Sequence, residues 1–173
     1  MSFLSQIFGA GPERETMLPL YNAVVALGRD PAWYVEGQVP DTLDGRFDMI
    51  ASILALVLLR LEGEDSARAE SVLLSELFID DMDGNVRQIG IGDLVVGKHV
   101  GRMVSALGGR LGAFRTALAG DGGLREPVGR NIFHDAPPSE AAVAFVVGRL
   151  AALAQRLRET PVGPLLAGEL PAP

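Results

Sequence analysis

From Met49 to Leu59 the chain is apolar at every position except Ser52, and Asp48 and Arg60 close the run off on either side. At about 1.5 Å per residue such a helix covers roughly half of a ~30 Å hydrocarbon layer, so it cannot cross a bilayer. It is also apolar nearly all round, which a helix lying on a surface cannot be. The remaining solution is a central helix that other elements cover on every side. Pro40-Asp41-Thr42 supplies its start, with Asp41 or Thr42 as N-cap, and the predicted span runs from about Leu43 to Leu61 with Gly63 as its stop.

The rest of the chain supplies the helices that would cover it. Met17, Leu20, Tyr21, Val24 and Leu27 recur at helical steps and end at Gly28; Asp30-Pro31 then opens a short turn carrying Trp33 and Tyr34. Asp65 or Ser66 starts a helix with Ala69, Val72, Leu73 and Leu77 on one side, expected to run out at Gly84. Asp93 is the expected N-cap of a long helix striped by Val96, Val100, Met103, Leu107, Leu111, Phe114 and Leu118. Gly108, Gly109 and Gly112 weaken that helix by about 1 kcal/mol each relative to alanine, and suggest either a break or the close approach of another backbone. The stretch from Gly120 to Pro138 reads as loop, Ser139 caps a last helix with Val143, Val146, Leu150, Leu153 and Leu157, and Pro161 ends it. No strand pair and no fixed-period repeat appears. The expected fold is all-α, a single compact bundle of about five to six helices over residues 12–160, with a flexible N-terminus at 1–11 and a flexible tail at 161–173.

Cysteine is absent, which excludes disulfides, thiolate metal sites and cysteine nucleophiles. With 15 Lys and Arg against 22 Asp and Glu, the net charge of −7 opposes nucleic acid as a primary ligand. Apolar residues make up 48% of the chain and charged ones only 21%, so either the core is large or apolar surface faces a partner. The first cationic residue is Arg14, so the start lacks the basic region of a secretory leader, and a cytoplasmic protein is expected.

Three strings invite a chemical reading. Asp81, Asp83 and Asn85 occupy the first, third and fifth positions of a calcium loop, but Val86 stands where that loop needs glycine and Gly92 where it needs a bidentate glutamate. The Asp80, Asp81 and Asp83 cluster also suggests a magnesium–diphosphate binder or enzyme built in a helical bundle, though no second acidic motif accompanies it. As a plain helix end, these carboxylates would meet the negative end of the helix dipole and repel one another, so a cation such as Arg87 or a partner's basic patch is needed nearby. Gly92 to Lys98 matches most of a phosphate-binding loop, yet His99 stands where a hydroxyl should hold magnesium, and no strand precedes it. His99 and His134 have no ligand spacing, so no metal is expected. From Glu62 to Asp83 eight acidic residues face a single Arg68, while Gly92 to Gly120 carries Lys98, Arg102, Arg110 and Arg115 against Asp93. Segments of opposite sign can pair with each other or polarise a face toward a partner.

Longer strings carry more. VPDTLDGRFD (Val39 to Asp48), LFIDDMDGNVRQIGIGDLVVGKHVGRM (Leu77 to Met103) and GGRLGAFRTAL (Gly108 to Leu118), together with LYNAVVALGRDPAWY, resemble the ubiquinol–cytochrome c chaperone family across most of residues 20–120. The resemblance implies an α-helical, non-enzymatic assembly factor for the cytochrome bc complex (respiratory complex III), here in the short bacterial form. Its implied client is newly made cytochrome b, with no cofactor and with a second assembly factor as a further partner; peripheral contact with the inner membrane is a further expectation, and the Val96–Leu118 stripe offers the alternative of a purely structural interaction module or homodimer. The family motif falls on Asp80, Asp81, Asp83, Asn85, Arg87, Asp93 and Lys98, which with Arg102 form the expected partner-binding set, and on Gly90, Gly92 and Gly97, which with Gly84 are the expected shaping residues. The sequence departs from the family pattern at Ile53, where histidine is common, at Leu107 and Gly108, where aromatic residues are common, and at Gly101, a commonly basic position.

Overall fold

The computed structural model describes residues 12–88, 93–120, 122–134, 136 and 138–173, with side chains described from residue 14 onward except at 85–97, 99 and 100. Helices form α1 (Pro12–Glu15), α2 (Leu18–Gly28), α3 (Pro31–Val35), α4 (Leu43–Glu62), α5 (Arg68–Gln88), α6 (Asp93–Ala119), α7 (Arg125–Asn131), α8 (Glu140–Glu159) and α9 (Val162–Leu166). No strand occurs among the described residues, and the expected all-α bundle is what the chain forms. None of the helices among the described residues is long and apolar enough to cross a membrane.

α4 is the axis. Thr42 caps it by accepting the Gly45 N–H at 3.1 Å, and every residue from Asp48 to Leu58 is buried. α2, α5, α6 and α8 pack around it. Ser52, the one polar residue in the run, donates to the Asp48 carbonyl at 2.7 Å, so its hydroxyl is satisfied within the helix. At the far end Arg60 donates to the carbonyls of Leu157 at 2.9 Å and Thr160 at 3.2 Å, tying the C-terminus of α8 to α4. α8 starts where its sequence signal lies, at Ser139, whose hydroxyl accepts the Ala142 N–H at 3.1 Å.

α2 begins at Leu18, so Pro19 sits in its first turn, where its missing N–H costs nothing. α2 ends on Gly28 against α4. A side chain there would begin 2.6 Å from Ile50 Cγ1 and 3.0 Å from Ile50 Cα, so only glycine lets the two helices meet. Asp30 then caps α3 by accepting the Ala32 N–H at 3.0 Å, and α3 turns Trp33 into the core.

Four stretches differ from expectation. α5 does not stop at Gly84 but continues to Gln88, because buried Leu74, Leu77, Phe78 and Met82 hold its face and outweigh the propensity cost of one glycine. α6 runs unbroken through its glycines. Among the described residues, no atom outside α6's own backbone comes within 4 Å of where a side chain would begin at Gly108, Gly109 or Gly112, so neither the break nor the close approach of another backbone is found there. Met103, Leu107 and Phe114 bury the stripe on the opposite side, as the spacing predicts. The 120–138 stretch contains α7, held by buried Leu124, Val128, Ile132 and Phe133; its short length and internal Pro127 hide it from periodicity. Beyond Pro161 the chain turns into α9, buries Leu165, and brings Gly168, at φ +96°, against the backbone of Pro19. The opening residues 1–11 lie outside the described residues.

Candidate functional site

Because α5 runs through Gly84, the aspartates of the motif lie along a helix rather than in a loop, and they diverge at 100° per residue. Asp80 faces α1, where the Arg14 guanidinium reaches both Asp80 (Nη1 to Oδ2, 2.6 Å) and Glu76 (Nη2 to Oε2, 2.7 Å), one turn apart on α5. Asp81 faces α2 and accepts the Tyr21 hydroxyl at 2.6 Å. Asp83 is half-buried. The cation that the acidic stretch requires is therefore Arg14, sixty-odd residues away in sequence, and the cluster anchors the N-terminal helices on α5. Among the described residues no group of three His, Asp or Glu side chains is placed to hold a metal ion.

Tyr21 is buried, and burial first, then the Asp81 carboxylate, pushes its hydroxyl well above the ordinary value near 10. A raised pKa means the folded state keeps a proton that the unfolded chain releases, so stability is full below about pH 10 and falls as pH rises beyond it. Tyr34 is raised too, mainly by burial. In urea unfolding between about pH 9 and 11, Tyr21→Phe is expected to remove up to about 1.4 kcal/mol per pH unit from the alkaline slope. An unchanged slope would contradict the buried Tyr21–Asp81 bond.

Lys98 and Arg102 are exposed one turn apart on α6, on a face that continues through Gly101, Val104, Ser105, Gly108 and Gly109, all exposed. Val104 keeps 47% of its surface, and Val72 on α5 keeps 54%. Gly84 lies inside α5 and Gly97 inside α6. The side chains of Asn85, Arg87 and Asp93 lie outside the described residues, as do Gly90 and Gly92. At the departures from the family pattern, Ile53 and Leu107 are core residues, and Gly101 and Gly108 leave open space on α6. Of the pairing between acidic and basic segments, one bond is clear: Arg115 grips Glu62 with two donors, at 2.6 and 3.2 Å.

Sequence reasoning missed a buried charge cluster. Asp48, at the head of the apolar run, receives Arg110 Nη2 at 2.6 Å on one oxygen and lies 2.8 Å from His134 Nε2 on the other. The same Arg110 nitrogen donates to the Asn131 carbonyl at 2.7 Å, so one guanidinium ties α4, α6 and the end of α7. Asp48 and Arg110 are nearly inaccessible to solvent, whereas the His134 ring remains largely exposed. Burial pushes the Asp48 carboxyl up against the pull of Arg110 and His134, and pushes Arg110 down. The two directions agree: desolvation outweighs attraction in this pair. The cluster has no nucleophile, and its chemistry is that of a structural clasp. The available signal was Arg110 itself, a charge falling on the buried stripe between Leu107 and Phe114.

An open groove of about 300 Å³ lies between α4, α6 and α8, with Leu56, Leu59, Leu118 and Leu157 as its floor and Arg60, Arg115 and Arg158 at its edge.

A profile of the family described as ubiquinol-cytochrome C chaperone matches residues 35–172. The crystal structure of the Cbp3 homolog from Brucella abortus superimposes with a TM-score of 0.81 and 29% sequence identity, over 99% of this chain and 97% of that one. No curated protein matches the sequence.

Proposed function

Since the chain belongs to the ubiquinol–cytochrome C chaperone family, we propose that it binds newly made cytochrome b and holds it during assembly of the cytochrome bc complex. The single observation that carries this reading is the structural likeness to the Cbp3 homolog along almost the whole chain. The chaperone role involves no bond-making chemistry: it shields apolar segments of a membrane subunit and presents charge to its polar loops. Composition supports the need for such a surface, with 48% apolar residues. The outer face of α6 is the proposed contact, where Lys98 and Arg102 flank exposed glycines and Val104. Asn85 and Arg87, near the end of α5, and Asp93, at the start of α6, are proposed to extend it. Asp80 and Asp81 serve it indirectly, since Arg14 and Tyr21 already engage their carboxylates. The same engagement argues against the metal–diphosphate alternative. The work is proposed to take place in the bacterial cytoplasm, at the inner membrane where the client inserts, with a second assembly factor as a further partner.

Photo-crosslinking in cells tests the contact. A crosslinker at Lys98 or Arg102 is expected to capture cytochrome b, and one at Gln155, exposed on α8, is not. Failure of both α6 positions to capture it would refute the proposed face.

A further inference from the structure

The groove between α4, α6 and α8 is separate from the α6 face proposed for the client and has a chemistry of its own. Its floor is aliphatic: Leu56, Leu59, Leu118, Ala154 and Leu157. Its edge carries Arg60, Arg115 and Arg158 against the single carboxylate of Glu62, a cationic excess on a chain whose net charge is −7. The three arginines are in different states. Arg60 is committed to the carbonyls that end α8 and to Glu64. Arg115 is held by Glu62 in an exposed pair, weak enough to exchange for another carboxylate. Arg158 is exposed and makes no ion pair among the described residues.

We propose that this groove docks an acidic segment of a partner protein, which seats one large apolar side chain on the leucine floor and sets a carboxylate on Arg115 and Arg158. Guanidinium groups beside an apolar floor favour carboxylates, because paired donors meet both oxygens where water is partly excluded. A volume of about 300 Å³ is the low end for a small-molecule pocket, and an open groove of that size cannot enclose one, whereas a peptide needs only to lodge an anchor. An anionic membrane is disfavoured by the overall negative charge. Residues 1–11 of the chain contain no carboxylate side chain and so lack the complementary charge.

The test uses the full chain and a labelled peptide of about 14 residues with leucines on one helical face and glutamates on the other. Controls are the same peptide with lysine for glutamate, and phosphatidylglycerol vesicles. By fluorescence anisotropy the acidic peptide is expected to bind saturably below about 1 mM, and the lysine peptide not at all. The variant carrying Arg115→Glu and Arg158→Glu, and separately Ala119→Phe to fill the groove, are each expected to weaken binding at least about tenfold, with melting temperatures checked to confirm folding. The proposal is overturned by absence of saturable binding, by equal binding of both peptides, or by insensitivity to these variants. It is equally overturned if the vesicles bind in a groove-dependent way, or if sedimentation shows a dimer that Ala119→Phe dissociates.

Discussion

Replacing Arg110 with alanine is expected to lower the free energy of unfolding by about 3–5 kcal/mol, a large share of the 5–15 kcal/mol that a domain of this size holds. The size comes from what is left behind. Asp48 is 6% exposed at its side chain, and without the guanidinium its charge would face only His134 on one side. The Asn131 carbonyl loses its donor as well, so the end of α7 is released from α6. The pair itself is not a large net gain, since burial opposes the charge on both members. It follows that the double replacement Asp48→Leu with Arg110→Met is expected to recover most of the loss. Urea denaturation of the two variants separates these effects. Equal destabilisation in single and double variants would show that packing around Arg110, rather than the stranded charge, sets the cost.

Trp33→Ala is expected to cost a comparable 3–5 kcal/mol. Trp33 is wholly buried, its Nε1–H donates to the Leu27 carbonyl at 2.8 Å, and the Arg149 guanidinium lies 4.3 Å above its ring. Arg149 in turn binds Asp30, the cap of α3, at 2.7 Å. One indole thus joins the α2–α3 turn to α8, and its removal leaves a cavity and uncouples that ion pair from its support. Trp33→Phe keeps most of the volume and the ring beneath Arg149, and is expected to cost clearly less. A Trp33→Ala variant as stable as the parent would contradict this packing.

The central helix was legible because an apolar run of that length, bounded by charges, has few physical solutions. The caps at Thr42 and Ser139 were legible because their side chains act on N–H groups three residues away. α7 and α9 were not, since helices of a turn or two owe their existence to tertiary burial of Val128 and Leu165 rather than to their own periodicity. The motif strings named the family, but not what their residues touch. Asp80 and Asp81 read as a surface waiting for a partner, while Arg14 and Tyr21 supply the partner from within the chain. Contacts between residues so far apart in sequence leave no spacing to detect. The burial of Arg110 is not legible in sequence, because a charged residue on a buried stripe is rare and its acceptor, Asp48, lies in another helix.

The proposed role makes cytochrome b dependent on this protein. In a strain lacking the gene, the amount of assembled cytochrome b, read from its reduced haem absorbance in membranes, is expected to fall severalfold while other respiratory complexes keep near-normal levels. Cytochrome b at the parental level in that strain would contradict the account.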